Sequence, residues 1–170
     1  MLQDMKENPR KIFLMIVSMI LFYIPFIGSS ITKENYTSII NQSTHPLLFF
    51  LSVPIGFCIL YYLVYQYLRD KTLKIQTIPL FILVIISILM PYDVKGSFYS
   101  SMHLFLGYAC FIWFNYLIFK ILQSNTQYHY YYLYGVIFAA VIALTFQSIN
   151  GLSEWIYFSW TTMILLCIKK

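Results

Sequence analysis

Six apolar runs alternate with short polar segments along the chain, at approximately residues 12–28, 46–67, 75–90, 101–122, 131–147 and 153–168. A helix needs about 20 apolar residues to cross the hydrocarbon core of a bilayer. The first run is too long for the core of a secretory signal and contains Pro25, so we interpret it as a retained span. The pattern predicts an all-α polytopic membrane protein, a six-transmembrane-helix bundle that forms a single domain over residues 1–170.

The composition agrees with this pattern. Hydrophobic residues make up 60% of the chain and charged residues 10%, with a mean hydropathy of +0.72. Soluble domains are roughly 45–50% apolar and about 25% charged. The net charge of +5 does not indicate nucleic acid, because the cations lie in short clusters between apolar runs. We expect the partners to be membrane lipids and a partner membrane subunit, with the oligomeric state open.

The distribution of cations predicts the orientation. In a six-span chain both termini lie on one side, and nine of the eleven Lys and Arg residues then share that side. They are Lys6, Arg10, Lys11, Arg69, Lys71, Lys74, Lys120, Lys169 and Lys170, with only Lys33 and Lys95 opposite. Because cytoplasmic loops are enriched in Lys and Arg, we predict a bacterial cytoplasmic (plasma) membrane protein with both termini in the cytoplasm.

The few ionisable residues near the outer ends of the spans are the candidate binding residues. They are His45, Asp93, His103 and Glu154, and Asn115 lies deeper, inside the fourth span. An ionisable group within a bilayer suggests function, and a buried amide needs a hydrogen-bond partner, which for Asn115 we expect on another helix. We predict that these five residues line an outward-facing polar pocket.

His103 and Asp93 are the candidate catalytic pair, because Asp93 can orient the imidazole across the turn between two spans. The same pair can instead be a structural latch. His45, Asp93, His103 and Glu154 offer two imidazoles and two carboxylates to a divalent metal such as zinc, although no two of them have the spacing of ligands on one helix. We expect no other cofactor.

Small residues recur every four positions in the fifth run, at Gly135, Ala139 and Ala143. A stripe of small side chains lets a second helix approach closely within a membrane. We predict that this stripe is a helix-packing surface.

Pro91, Asp93, His103 and Asn115 also form a spaced pattern in the third and fourth runs. This pattern resembles the signature of a large bacterial family of six-helix membrane proteins of unknown function, which is similar in layout to the eukaryotic DRAM-like group. The resemblance implies no known reaction. It implies that these four positions are the ones to examine.

Three functions are compatible with the sequence. The first is a membrane protein that binds a lipid or small ligand in the outward-facing pocket, or an accessory or regulatory subunit. The second is a membrane-embedded, metal-dependent or metal-free enzyme acting on a lipid-linked substrate at the outer leaflet. The third is a small transporter or its substrate-binding subunit, with a polar cavity near Asn115 and Pro54. The chain has no HExxH motif or phosphate-binding glycine loop, so we favour the first function over the enzyme and leave enzymatic activity open.

Overall fold

The computed structural model describes residues 8–36, 38–39, 46–90 and 98–168, and within these ranges the chain is helical without strands. The helices are α1 (Pro9–Tyr23), α2 (Pro46–Tyr67), α3 (Lys71–Leu89), α4 (Phe98–Leu122), α5 (Thr126–Thr145) and α6 (Gly151–Cys167). A 3₁₀ turn, Ile24–Phe26, extends α1. With that extension, α1 to α5 are each long and apolar enough to cross a membrane. The predicted all-α class is therefore confirmed for the described residues, and five of the helices have the length and composition that a membrane protein requires.

Two of these helices begin before the apolar runs because polar residues cap their first turns. Asp70 accepts hydrogen bonds from the amides of Thr72 and Leu73 at the start of α3. Asn125 accepts one from the amide of Tyr128 at the start of α5. A side-chain oxygen at this position satisfies an amide that has no partner within the helix. The polar first turns of α3 and α5 thus belong to the helices although they are not apolar.

Helix α6 lies at the centre of the bundle. It packs against α1, α2 and α5, and 10 of its 17 residues are buried. Helix α3 lies at the periphery, where it contacts α2 and α4 and buries only Thr77, Leu80 and Ser87. Its exposed apolar residues recur at spacings of three and four, at Ile75, Ile78, Ile82, Ile86 and Leu89. Such a continuous apolar stripe suits contact with lipid.

The carboxyl end of α6 shows which helix ends lie together. The Cys167 carbonyl accepts a hydrogen bond from the Tyr128 hydroxyl at 2.9 Å. The Ile168 carbonyl accepts one from the Tyr67 hydroxyl at 3.1 Å and one from the Lys11 ammonium at 3.4 Å. The start of α1, the end of α2, the start of α5 and the end of α6 therefore share one end of the bundle, which we call the terminal end.

Glycine allows close packing between α5 and α6, as the small-residue stripe predicts. A Cβ on Gly135 would overlap the Trp160 indole, and that indole donates to the Tyr131 carbonyl at 2.8 Å. Gly135 and Ala139 are buried. The stripe is therefore a helix-packing surface, and its function is structural.

Candidate functional site

The amino end of α6 carries the densest polar cluster at the opposite end of the bundle. The segment that follows α1, residues 24–36, folds over this helix end and is called the cap segment below. The amides of Gly151 and Leu152 donate to the carbonyls of Glu34 and Ile31. Asn150 and Ser153 exchange hydrogen bonds as a capping box. The amides that a helix leaves unpaired in its first turn thus all have acceptors, two of them from the cap segment.

Glu154 joins the cap segment to α6. Its carboxylate accepts a hydrogen bond from the Tyr36 amide at 2.9 Å, and the side chain is partly buried. The acid also lies in the first turn of α6, where the helix dipole favours a negative charge. Glu154 therefore has a structural partner and does not point into bulk water.

Tyr36 anchors the cap segment from below. Its side chain is 2% exposed, and its hydroxyl donates to the Phe22 carbonyl at 2.7 Å. Burial, and to a smaller extent the Glu154 carboxylate, raise the pKa of Tyr36 well above its usual value. The hydroxyl consequently stays protonated at physiological pH and remains a donor.

Asn150 contributes the one unpaired amide group of this cluster. Its side chain is fully buried, and its Oδ1 accepts from the Ser153 amide at 3.0 Å. Its Nδ2 has no acceptor among the residues that the structure describes. A buried donor without an acceptor costs about 1–3 kcal/mol, so it is a group that an incoming acceptor would stabilise.

His103 ties α4 to the end of α3. Its Nδ1 lies 2.8 Å from the Ser87 carbonyl oxygen, and because a carbonyl only accepts, Nδ1 is the donor. The usual helical donor to that carbonyl would be the amide four residues later, but residue 91 is proline and has no N–H. His103 thus supplies the hydrogen bond that the sequence removes. This contact is a latch between α4 and the end of α3, whereas the latch predicted from the sequence pairs His103 with Asp93 and stays a prediction.

Asn115 lies between three helices, in a closed ring of hydrogen bonds. The Tyr132 hydroxyl on α5 donates to Asn115 Oδ1 at 2.6 Å, and Asn115 Nδ2 donates to the Tyr157 hydroxyl on α6 at 3.0 Å. The two hydroxyl oxygens are 3.2 Å apart. Because the Tyr132 proton is used, Tyr157 donates to Tyr132 and completes the ring. The interhelical partner that we predicted for Asn115 is confirmed, and it is a pair of tyrosines.

The structure places the predicted pocket residues in separate regions. His103 and Asn115 lie twelve residues apart on α4, which corresponds to about 18 Å along the helix axis. Glu154 lies under the cap segment. His45 and Asp93 lie outside the described residues, so the proposed Asp93–His103 pair and the pocket of five residues stay predictions.

The same limit applies to the zinc site. Within residues 8–36, 38–39, 46–90 and 98–168, no three His, Cys, Asp or Glu side chains are grouped as metal ligands. His45 and Asp93 were two of the four predicted ligands. The metal site therefore stays a prediction.

Sequence reasoning did not identify Tyr36, Tyr132, Tyr157 or Asn150. The tyrosines are three among 16, and tyrosine is common both at membrane interfaces and in packing between spans. Asn150 did carry a signal, because Asn followed three residues later by Ser at the start of an apolar run is typical of a helix cap.

The chain matches no protein-family model, no curated protein and no solved structure. The resemblance to the six-helix bacterial family therefore stays a prediction. Function has to be argued from the arrangement of the side chains alone.

Proposed function

We propose that this protein spans a bacterial cytoplasmic membrane six times, with both termini in the cytoplasm. We further propose that it binds a lipid or small polar ligand under its cap segment, as an accessory component without a reaction of its own. Hydrogen bonds from Lys11, Tyr67 and Tyr128 to the end of α6 support a bundle in which successive helices run in opposite directions across the membrane. The predominance of Lys and Arg at the terminal end supports the orientation.

The observation that carries ligand binding is the buried Asn150 amide at the amino end of α6, whose Nδ2 has no acceptor in the described chain. Glu154, in the first turn of the same helix, adds a carboxyl group that accepts from the Tyr36 amide. Phe26 and Tyr36, both buried, give the cap segment an apolar surface. Few polar groups set in apolar walls are typical of a small-ligand site.

The cap segment is held over this site by hydrogen bonds and by apolar packing. The amides of Gly151 and Leu152 donate to its carbonyls, and its Tyr36 amide donates to Glu154. Phe26 and Tyr36 are buried in the hydrophobic core. We propose that the bound ligand is enclosed between the cap segment and α6.

The enzyme and transporter functions have less support. The Nδ1–H of His103 donates to the Ser87 carbonyl, which gives the residue a structural contact, and proton transfer at His103 would have to use Nε2. Asn115 is fully engaged with Tyr132, Tyr157 and the Phe111 carbonyl, and it offers little to a transported solute at that depth. The enzyme alternative depends on Asp93 and His45, and cysteine replacement of each with metal titration would test it.

Orientation is tested by labelling single cysteines from outside intact cells. In a background without Cys58, Cys110 and Cys167, we expect Lys33→Cys to react with an impermeant maleimide and Arg69→Cys to react only after lysis. The reverse pattern would contradict both the orientation and the outer position of the cap segment.

Ligand binding is tested by identifying what copurifies with the protein. Mild detergent extraction and mass spectrometry should find a small molecule or lipid on the wild type that is lost in Glu154→Ala. Glu34→Ala is the matched control, because it removes an acidic side chain of the same cap region while the Glu34 backbone carbonyl still accepts from Gly151. Equal retention in all three proteins, with equal melting temperatures, would contradict the proposal.

A further inference from the structure

A cleft opens at the terminal end, between the last turn of α4 and the first turn of α5. Its volume is about 370 Å³, and it is lined by Tyr116, Phe119, Lys120, Gln123 and His129. The proposed outer ligand site does not involve these residues. From them we propose that the cleft binds the headgroup of an anionic phospholipid, with the acyl chains lying along α4.

The positive charge of the cleft has no compensating carboxylate on the two helices that form it. Between Asp93 and Glu154 the sequence contains no acidic residue, so neither α4 nor α5 offers a carboxylate to Lys120. The Lys120 ammonium instead lies 5.6 Å from the centre of the Tyr116 ring, a cation–π distance. An ammonium held on an aromatic face keeps its charge directed into the cleft, where a phosphate can pair with it.

His129 and Gln123 add neutral donors to this cation. The His129 ring stacks on Phe119 with a centroid distance of 5.0 Å and an angle of 24°. Stacking fixes the imidazole, and an imidazole carries at least one N–H in either protonation state. The Gln123 amide offers two more N–H groups. One cation and several N–H donors form the set that a phosphate diester requires.

The position of the cleft selects a lipid over a soluble anion. Lys120 lies in the last turn of α4, and the turn to α5 follows directly, so the cleft is at the level of the membrane surface. Tyr116 is 46% exposed, and Phe111 and Ile112 on the turns above it are 45% and 68% exposed. A phospholipid matches both parts, a phosphate at the helix end and chains along the apolar helix face.

The positive charge around the cleft also favours an anionic lipid. The described residues of the terminal end carry six cations, namely Arg10, Lys11, Arg69, Lys71, Lys74 and Lys120, against the single acid Asp70. Basic pockets between transmembrane helices on the cytoplasmic side bind anionic headgroups. This inference rests on the proposed orientation, and it is independent of the proposed outer ligand site, since the two clusters lie at opposite ends of the bundle.

The test compares lipid binding by the purified full-length protein and two charge variants. Delipidated protein is titrated with phosphatidylglycerol or phosphatidylcholine in mixed micelles, and the bound lipid is counted by native mass spectrometry. We expect Lys120→Gln to weaken phosphatidylglycerol binding about fivefold, the equivalent of about 1 kcal/mol for one cation at a membrane surface. His129→Phe keeps the stacking and should weaken binding as well.

Lys74→Gln is the matched control. Lys74 also lies over a tyrosine, 5.1 Å from the Tyr65 ring, and at the same end of the bundle, but outside the cleft. It should leave phosphatidylglycerol binding unchanged. Equal weakening in Lys74→Gln and Lys120→Gln would overturn the proposal, because net charge alone would explain binding. Equal affinity for both lipids, or full competition by millimolar inorganic phosphate, would also overturn it.

Discussion

The hydrogen-bonded ring of Asn115, Tyr132 and Tyr157 should contribute measurably to the free energy of unfolding. Removing one member should remove the hydrogen bonds that it makes with both others. Tyr132→Phe deletes two of the three hydrogen bonds in the ring, the one to Asn115 Oδ1 and the one from Tyr157. Asn115→Leu also deletes two of the three. Hydrogen bonds between membrane helices average about 0.6 kcal/mol, with a maximum of about 1.7. Each single substitution should therefore cost about 1–3 kcal/mol of unfolding free energy.

The double variant separates the ring from independent contributions. Because the two substitutions share the Tyr132–Asn115 bond, the pair deletes three bonds in total, one fewer than the sum of the two singles. The double variant should therefore be less destabilised than the sum, by about 0.6 kcal/mol and at most about 1.7. Unfolding of the purified protein by sodium dodecyl sulfate in mixed micelles, followed by circular dichroism, measures each value.

A second pair serves as the control. The Tyr67 hydroxyl bonds the Ile168 carbonyl at the terminal end and does not belong to the ring. Asn115→Leu with Tyr67→Phe should be additive within about 0.5 kcal/mol, as expected for sites without shared partners. Additivity of Asn115→Leu with Tyr132→Phe would refute the closed ring, and so would a coupling equal to that of the control pair.

Two further predictions concern helix contacts. His103→Ala leaves the Ser87 carbonyl without its donor and should lower the free energy of unfolding by about 1–3 kcal/mol in the same assay. In His103→Asn the amide nitrogen replaces Nδ1, so this variant should recover part of the loss. Equal losses in the two variants would argue against the latch. Gly135→Ala must displace Trp160 and should cost about 1–3 kcal/mol, whereas Gly107→Ala meets only Ser87 Oγ at 3.7 Å and should be neutral or stabilising. Similar effects of the two glycine substitutions would contradict the close contact between α5 and α6.

The helices were predictable from the apolar runs, and their exact starts were not. An apolar run ends where polar residues begin, whereas a helix starts at a cap. The first turn of α3, from Lys71 to Lys74, is polar and helical because Asp70 caps it. The hydropathy pattern reports which side chains face an apolar environment, whereas the start of a helix depends on the hydrogen bonds of its first backbone amides.

Within the candidate site, the sequence could predict a contact only for a residue type whose burial has one common requirement. An amide inside a span requires a partner, so Asn115 could be assigned an interhelical contact from the sequence. Its partners could not be chosen among 16 tyrosines without knowing which faces meet. The partner of His103 was within reach, since Pro91 leaves the Ser87 carbonyl without its helical donor. Histidine, however, is compatible with many functions, and the unpaired Ser87 carbonyl alone did not identify it as the donor.

Helix α6 carries several polar residues although most of it is buried inside the bundle. A helix that faces lipid must be apolar over its exposed surface, whereas α6 is shielded by α1, α2 and α5 and can carry Ser153, Ser159, Thr161 and Thr162, all buried. It has 17 residues, or about 26 Å, slightly less than the hydrocarbon core of about 30 Å. Irregular backbone at membrane depth is tolerated when protein surrounds it and satisfies its polar groups. The cap segment at one end and Lys11, Tyr67 and Tyr128 at the other provide those contacts, as the proposed sixth span requires.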